Sequence, residues 1–155
     1  RRDRAFWDTG EVLRVTPQGH VEALALGALR PVLHTRPESI RAAWLGETHT
    51  MLVSRLTALA LPFALVGLSD TLWAGGTLPF SLVLAYPNTA AGCQLLVRPD
   101  ASTYIPNLGG FATLSFGVPN AVGLLGTNLF QQVAQLDFAL ALSVSAAARV
   151  TLGAK

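Results

Sequence analysis

The sequence predicts an all-β domain, a two-sheet antiparallel β-sandwich of jelly-roll-like type with an extended N-terminal arm. Short apolar runs recur along the chain, and pairs of glycine, proline, asparagine or aspartate separate them. Many short strands at regular spacing are typical of a sandwich or barrel. Leucine and alanine are common and favour the competing helical interpretation. However, each apolar run ends within about ten residues, too early for a helix that is stable by itself.

The N-terminal segments differ from the rest of the chain. Residues 1–16 begin with the charged and aromatic stretch "RRDRAFWDTG" and are predicted to form the arm; residues 17–155 are predicted to form the sandwich. Residues 11–27, "EVLRVTPQGHVEALALG", alternate on both sides of "TPQG", which predicts a β-hairpin. Residues 28–39 contain two prolines and are interpreted as a connection or an edge strand.

Strand-like segments follow at short intervals from residue 40 onward. In chain order they are "IRAAWLG", "HTMLVSRLTALAL", "LPFALVGLSD", "TLPFSLVLAYPN", "CQLLVRPD", "FATLSFGVPN", "TNLFQQVAQLD" and "FALALSVSAAARVTLG". Between them lie turn-forming pairs such as Gly75–Gly76, Pro87–Asn88 and Pro119–Asn120.

The segment "TNLFQQVAQLD" carries two adjacent glutamines in an apolar environment. In a strand, Gln132 shares a face with apolar side chains, so we expect it to point inward and to bridge backbone groups. A ligand contact is the alternative. Gln131, Gln135 and Asp137 lie on the mixed face and are predicted to face solvent or a neighbouring subunit.

The composition is unusually poor in charge. Hydrophobic residues make up 51% of the chain and charged residues only 13%. Proline and glycine interrupt the long uncharged runs, so no transmembrane segment is expected. Assembly with copies of the same chain explains the missing charge; an ordinary low-charge monomer is the alternative. The net charge is +2 and the basic residues form no stripe, so no nucleic acid partner is expected.

No motif for catalysis or metal binding is present. His20, His34 and His49 lie in separate segments without metal-ligand spacing, and His49 in "GETHT" is predicted to be exposed at a loop tip. The single cysteine, Cys93, is interpreted as a buried small residue. We therefore expect a non-enzymatic protein with no catalytic residues, no metal and no cofactor. Because the chain begins at Arg1 and not at methionine, a removed leader is one open explanation.

Several ordered elements resemble a known group of domains. The elements are "LPFSL" at 78–82, "AAGCQLLVRPD" at 90–100, "GGFATLSFGVPN" at 109–120, "LLGTNLFQQVAQLD" at 124–137 and "ARVTLG" at 148–153. In this order they resemble uncharacterised secreted β-sandwich domains that are frequent in exported proteins of myxobacteria and planctomycetes. The resemblance covers about residues 40–153. It implies an exported sandwich, extracellular or at the cell surface, and it implies no reaction.

The sequence leaves three functions open. The first is a structural subunit that self-assembles into a filament or surface layer, in which the arm adds a strand to a neighbour. The arm residues predicted to form that interface are Phe6, Trp7, Val12, Leu13 and Val15. Packing of the arm on its own domain is the alternative.

The second function is a carbohydrate-binding or adhesive module whose partners are surface glycans. Its predicted stacking residues are Trp44, Trp73 and Tyr104, with packing over the end of the core as the alternative. The third, a hydrolase, lacks any motif. The sequence favours the structural subunit.

Overall fold

The computed structural model describes residues 6–8, 11–15, 21–25, 36–39 and 43–154, the first four ranges as backbone only. The described strands are β1 (Phe6–Asp8), β2 (Glu11–Val15), β3 (Val21–Ala25), β4 (Arg36–Ser39), β5 (Thr48–Ser54), β6 (Leu61–Gly67), β7 (Leu72–Trp73), β8 (Gly76–Thr77), β9 (Phe80–Ser81), β10 (Gln94–Leu95), β11 (Ala101–Tyr104), β12 (Ala112–Gly117), β13 (Asn128–Leu136), β14 (Leu142–Val144) and β15 (Ala148–Thr151). Two short 3₁₀ turns, Leu82–Leu84 and Val122–Leu124, are the helical elements of the described residues. The chain is therefore all-β, as the sequence predicted.

The strands form several antiparallel sheets. The largest has the order β11–β6–β13–β14, with β15 also paired to β13. A second sheet has the order β12–β5–β4, and a third has the order β1–β2–β3. β7 pairs with β8, and β9 pairs with β10. β6 pairs with one edge of β13 along most of the length of β13. β14 and β15 pair with different parts of the opposite edge.

The predicted N-terminal hairpin is confirmed at the level of the backbone. β2 and β3 pair antiparallel, with Val15 opposite Val21. The residues between them, including the whole of the predicted turn "TPQG", lie outside the described part of the chain. The proline-rich segment at 28–39 contributes β4, which forms one edge of its sheet, so the edge-strand interpretation is confirmed.

The main core lies between the largest sheet and the β5–β12 pair. β5 buries alternate residues, among them Met51 and Val53. These pack with Leu114 of β12, Ala64 of β6 and Val133 of β13 in one hydrophobic cluster. Ala64 and Val133 are directly opposite each other in their sheet, so the β6–β13 pair packs this face against β5 and β12.

The other face of β13 is covered in part by an irregular segment. Phe130 packs with Leu96, Val97 and Ala147 in a separate buried cluster. The segment that supplies Leu96 and Val97 directly follows β10. β13 is therefore buried on both faces, which is typical of a central strand.

Two predicted strands are largely wrong. In "TLPFSLVLAYPN" only the pairs at β8 and β9 are strands, and a 3₁₀ turn follows at Leu82–Leu84. This run has no regular alternation of apolar and polar residues to set a buried face, and Val83 and Leu84 are exposed. In "IRAAWLG" the described residues, from Ala43 onward, contribute one isolated bridge, between Trp44 and Gly153.

Candidate functional site

Gln132 holds three segments of the chain together. Its side chain is fully buried. Its Oε1 accepts the Leu96 N–H at 3.0 Å, and its Nε2 donates to the carbonyls of Gln94 and Ser145, each at 2.9 Å. The amide thus uses its carbonyl and both N–H groups on backbone partners. Gln132 lies on the inward face that the alternation predicted, and its role in the described residues is structural.

The prediction for Gln131 is wrong. It was expected to face solvent or a neighbour, but its side chain is 1% exposed. Its Oε1 lies 3.5 Å from Nε2 of His49, and its own Nε2 has no hydrogen-bond partner among the described residues. The reason is that β13 is covered on both faces, so the mixed face is also interior.

His49 is buried rather than exposed at a loop tip, so that prediction is also wrong. It lies in β5, is 0% exposed, and its ring meets Phe116 edge-on at 5.3 Å between centroids. The alternation of β5 places His49 on the same face as the buried Met51 and Val53. In the sequence, Met51 and Val53 follow His49 at a spacing of two, and this alternation indicates that His49 lies on the buried face of the strand.

Gln135 and Asp137 organise the end of β13. Gln135 is buried, again against prediction: its Oε1 accepts the Thr57 N–H and its Nε2 donates to the Thr57 hydroxyl. Asp137 is half-buried, and its Oδ1 accepts the N–H groups of Ala139 and Ala141. These polar side chains therefore fix loops rather than face a ligand.

Among the described strands, β11 forms one edge of the largest sheet. All four residues of β11, Ala101–Tyr104, are exposed. Its partner is β6, in which Phe63 lies opposite Tyr104. The two rings meet at 5.9 Å in a T-shaped arrangement on the outer face of the sheet. No sequence pattern predicts this strand, since "ASTY" has no apolar alternation.

The three predicted stacking residues belong to different elements. Trp44 packs against Gly153, where an added Cβ would lie 2.6 Å from the indole. Trp73 lies in the β7–β8 hairpin beside Phe80, with ring centroids 5.1 Å apart, and its Nε1 is buried without a hydrogen-bond partner among the described residues. Both tryptophans are half-buried, while Tyr104 is 50% exposed. The ring contacts within residues 43–154 join none of the three to another.

The predicted arm residues are placed by backbone only. Phe6 and Trp7 lie in β1, and Val12, Leu13 and Val15 lie in β2. Their side chains are outside the described part of the structure. β1 pairs with β2, and β2 pairs with β3 of the same chain, so strand pairing crosses the predicted boundary at residue 16.

Other candidate groups are structural or dispersed. Cys93 is buried. Within the described residues, no group of three or more His, Cys, Asp or Glu side chains is close enough to hold a metal ion. None of the helices described is long and apolar enough to cross a membrane.

A scan with protein-family models finds no match to this chain, and searches of curated proteins and of solved structures find none either.

Proposed function

We propose that this chain is a non-enzymatic structural subunit, exported to the cell surface or beyond, that assembles with copies of itself into a filament or layer. The observation that carries this proposal is the open edge of the largest sheet at β11. The packing of that sheet on β5 and β12 fits a jelly-roll-like two-sheet sandwich, and this is part of the proposal. The resemblance to exported sandwich domains supports the location.

The outer edge of β11 offers backbone groups that no other described strand pairs. The Ile105 N–H donates to the Pro62 carbonyl at 3.1 Å, which sets the alternation along the strand. Since backbone groups of successive residues point to opposite sides, Thr103 faces β6, and Ser102 and Tyr104 point their N–H and C=O groups away from it. An edge of this kind is a template for another strand.

Little protects this edge against pairing. β11 contains no charged residue and no proline, the devices by which sheet edges commonly avoid association. Pro99 and Pro106 lie just outside it and limit the pairing to a short stretch. The apolar rings of Phe63 and Tyr104 lie on the adjoining face and supply surface that an added strand would cover.

The N-terminal arm is the proposed donor. In the sheet β1–β2–β3, β2 has a strand on each side and β1 has one described neighbour. β1 is therefore the strand of the arm that can pair with another copy along its outer edge. Pairing of β1 with β11 of a neighbour joins two different surfaces of the chain. Such a heterologous contact repeats without closing and produces a filament.

Light scattering on the full chain and on Ser102→Pro tests the proposal. The Ser102 N–H points away from β6, so proline removes an outward donor and leaves the ladder to β6 intact. We expect the native chain to be polymeric and Ser102→Pro to have a clearly lower mass, while the control Ser102→Ala keeps the native mass. A native chain that is monomeric at all concentrations would contradict the proposed function.

A carbohydrate-binding module is the second candidate, favoured by the half-exposed ring of Tyr104 beside Phe63. Exposed aromatic faces stack on sugar rings, and the sheet face supplies a flat surface for them. Glycan-array binding by the native chain that Tyr104→Ala abolishes would support this function, with Trp73→Ala as the comparison. Absence of binding by the native chain would remove it.

A further inference from the structure

β12 forms an edge of the second sheet, and no other described strand pairs with its outer side. It has six residues, whereas β11 has four. Residues 109–121, which include β12 and the residues on either side of it, contain no charged side chain, and the first proline after the strand is Pro119. Charged residues and prolines are the devices by which sheet edges commonly avoid association. β12 is therefore a longer edge than β11 and equally unprotected.

The hydrogen bonds at the two ends of β12 show which of its residues point their backbone groups outward. The Val118 N–H donates to the Glu47 carbonyl at 2.8 Å, and the Leu56 N–H donates to the Gly110 carbonyl at 3.0 Å. Even-numbered residues therefore face β5, and odd-numbered residues face away from it, since the backbone groups of successive residues point to opposite sides. The outward-facing residues of β12, all exposed, are Thr113, Ser115 and Gly117.

These three residues are spaced symmetrically about Ser115. If two β12 strands pair antiparallel about a twofold axis at Ser115, that residue lies opposite the partner's Ser115, and Thr113 lies opposite the partner's Gly117. All three outward residues then find N–H and C=O partners. A shift of the register by two residues leaves one of the three without a partner inside the strand. A shift by one brings outward groups against inward groups.

The same register matches the side chains on the core face. It places Leu114 directly opposite the partner's Phe116. Leu114 is buried in the main core, and Phe116 is half-buried against it. Opposite residues between the hydrogen-bonded pairs of an antiparallel ladder approach closely, with Cα atoms about 4.5 Å apart. The pairing therefore covers apolar surface that Phe116 leaves exposed.

The charges beside β12 favour the antiparallel arrangement. The neighbouring strand β5 is preceded by the exposed Glu47 and followed by the exposed Arg55. Antiparallel pairing brings Arg55 to the same end as the partner's Glu47, whereas parallel pairing would bring it to the same end as the partner's Arg55. Three strand spacings, about 14 Å, separate the two β5 strands. The attraction is weak over this distance, but its sign selects the orientation.

From these features we propose that two copies of this chain pair antiparallel through β12, about a twofold axis at Ser115. The contact joins the second sheets of the two copies into one continuous sheet with the described order β4–β5–β12–β12–β5–β4. The same surface is used on both copies, so this contact closes after two chains. It does not use β11 and goes beyond the proposed filament contact, with which it can combine.

Light scattering on the Ser102→Pro chain, in which pairing at β11 is removed, tests the proposal. We expect a dimer, with twice the mass of one chain, 16.3 kDa. Adding Ser115→Pro should reduce the mass to that of one chain, because the Ser115 N–H points outward and the ladder to β5 stays intact. Ser115→Ala in the same chain should keep the dimer, and it controls for the lost hydrogen bond to Thr50. Circular dichroism and the melting temperature check that the variants fold.

Cross-linking in the Ser102→Pro chain tests the register. The Cα atoms of a hydrogen-bonded pair lie about 5.5 Å apart, a distance that a disulfide spans. With oxidised glutathione we therefore expect Ser115→Cys to form a disulfide-linked dimer. Thr113→Cys is the matched control, because Thr113 lies roughly 14 Å from the partner's Thr113 in this register. The native Cys93 is buried and common to both variants.

The outcomes separate this inference from the proposed function. A native chain that polymerises while Ser102→Pro is monomeric would overturn the inference alone. So would a dimer that Ser115→Pro does not change, or one that Thr113→Cys cross-links as readily as Ser115→Cys. A native chain that stops at a dimer and becomes monomeric with Ser115→Pro would support the inference and remove the filament. A native chain that is monomeric at all concentrations would remove both.

Discussion

Gln132 is the residue whose replacement we expect to destabilise the fold most. Gln132→Leu removes three hydrogen bonds and leaves backbone groups of Gln94, Leu96 and Ser145 unpaired in the interior. An unsatisfied buried polar group costs about 1–3 kcal/mol. We therefore expect the free energy of unfolding to fall by roughly 3 kcal/mol or more, as measured by urea denaturation.

Two neighbouring glutamines serve as controls. The side chain of Gln94 is exposed, so Gln94→Ala should change the stability by less than about 0.5 kcal/mol. Gln131→Met removes an amide whose Nε2 has no partner in the described structure and keeps a similar volume, so its effect should be small beside that of Gln132→Leu. Equal losses for Gln131 and Gln132 would contradict the structural account of this strand.

Of the three glutamines of β13, the sequence predicts the orientation of Gln132 correctly and those of Gln131 and Gln135 wrongly, for one physical reason. Alternation in β13 separates its faces and predicts that the face with fewer polar residues is the interior. Gln131 and Gln135 are interior as well, because β5 and the loop at Thr57 cover the second face. A period of two shows which residues share a face, but it does not show how many faces are covered.

At the scale of the elements, the end of β6 depends on a glycine. A Cβ added to Gly67 would lie 1.7 Å from the carbonyl oxygen of Arg98, a backbone atom that cannot move alone. We expect Gly67→Ala to displace residues 98–100 and to weaken the bond from Leu68 to Asp100. The free energy of unfolding should fall by roughly 1–3 kcal/mol in thermal or chemical denaturation.

Gly117, the last residue of β12, is the matched control. A Cβ added there meets no atom within 4 Å, and the residue is exposed. Gly117→Ala should be neutral or stabilise the fold by about 0.4–1 kcal/mol, because alanine restricts the unfolded chain. If Gly67→Ala and Gly117→Ala lower the free energy of unfolding by the same amount, the approach to the Arg98 carbonyl does not explain why position 67 needs glycine.

The predictability of the strands follows their burial pattern. β5, β6 and β12 bury alternate residues over most of their length, and β13 is buried on both faces, so apolar residues mark all four strands in the sequence. β11 was missed because all four of its residues are exposed, and nothing in an exposed polar strand distinguishes it from a loop. The candidate assembly edge is thus the element that leaves the weakest trace in the sequence.

At the scale of the whole molecule, the low share of charged residues is accompanied by many exposed apolar side chains. The chain has 13% charged residues, and exposed apolar side chains occur in the loops, in the 3₁₀ turn at Leu82–Leu84 and on the sheet face near Phe63. An average soluble domain carries roughly twice that share of charge. The composition predicts that part of this surface is hidden by assembly, and the topology adds β11 as the candidate edge for it.

The proposed contacts predict an unusual response to salt. In the proposed assembly, backbone pairing at β11, a strand without charged residues, would supply the stability, and the few charges of the chain would act on the encounter. Raising the ionic strength from about 0.05 M to about 0.5 M screens those charges beyond a few ångströms. We expect time-resolved light scattering to show slower growth with the same final mass, since electrostatic complementarity acts more on association rate than on affinity. A final mass that falls with salt would show instead that ion pairs hold the copies together, and the arginines at Arg1, Arg2, Arg4 and Arg14 would then be the groups to replace.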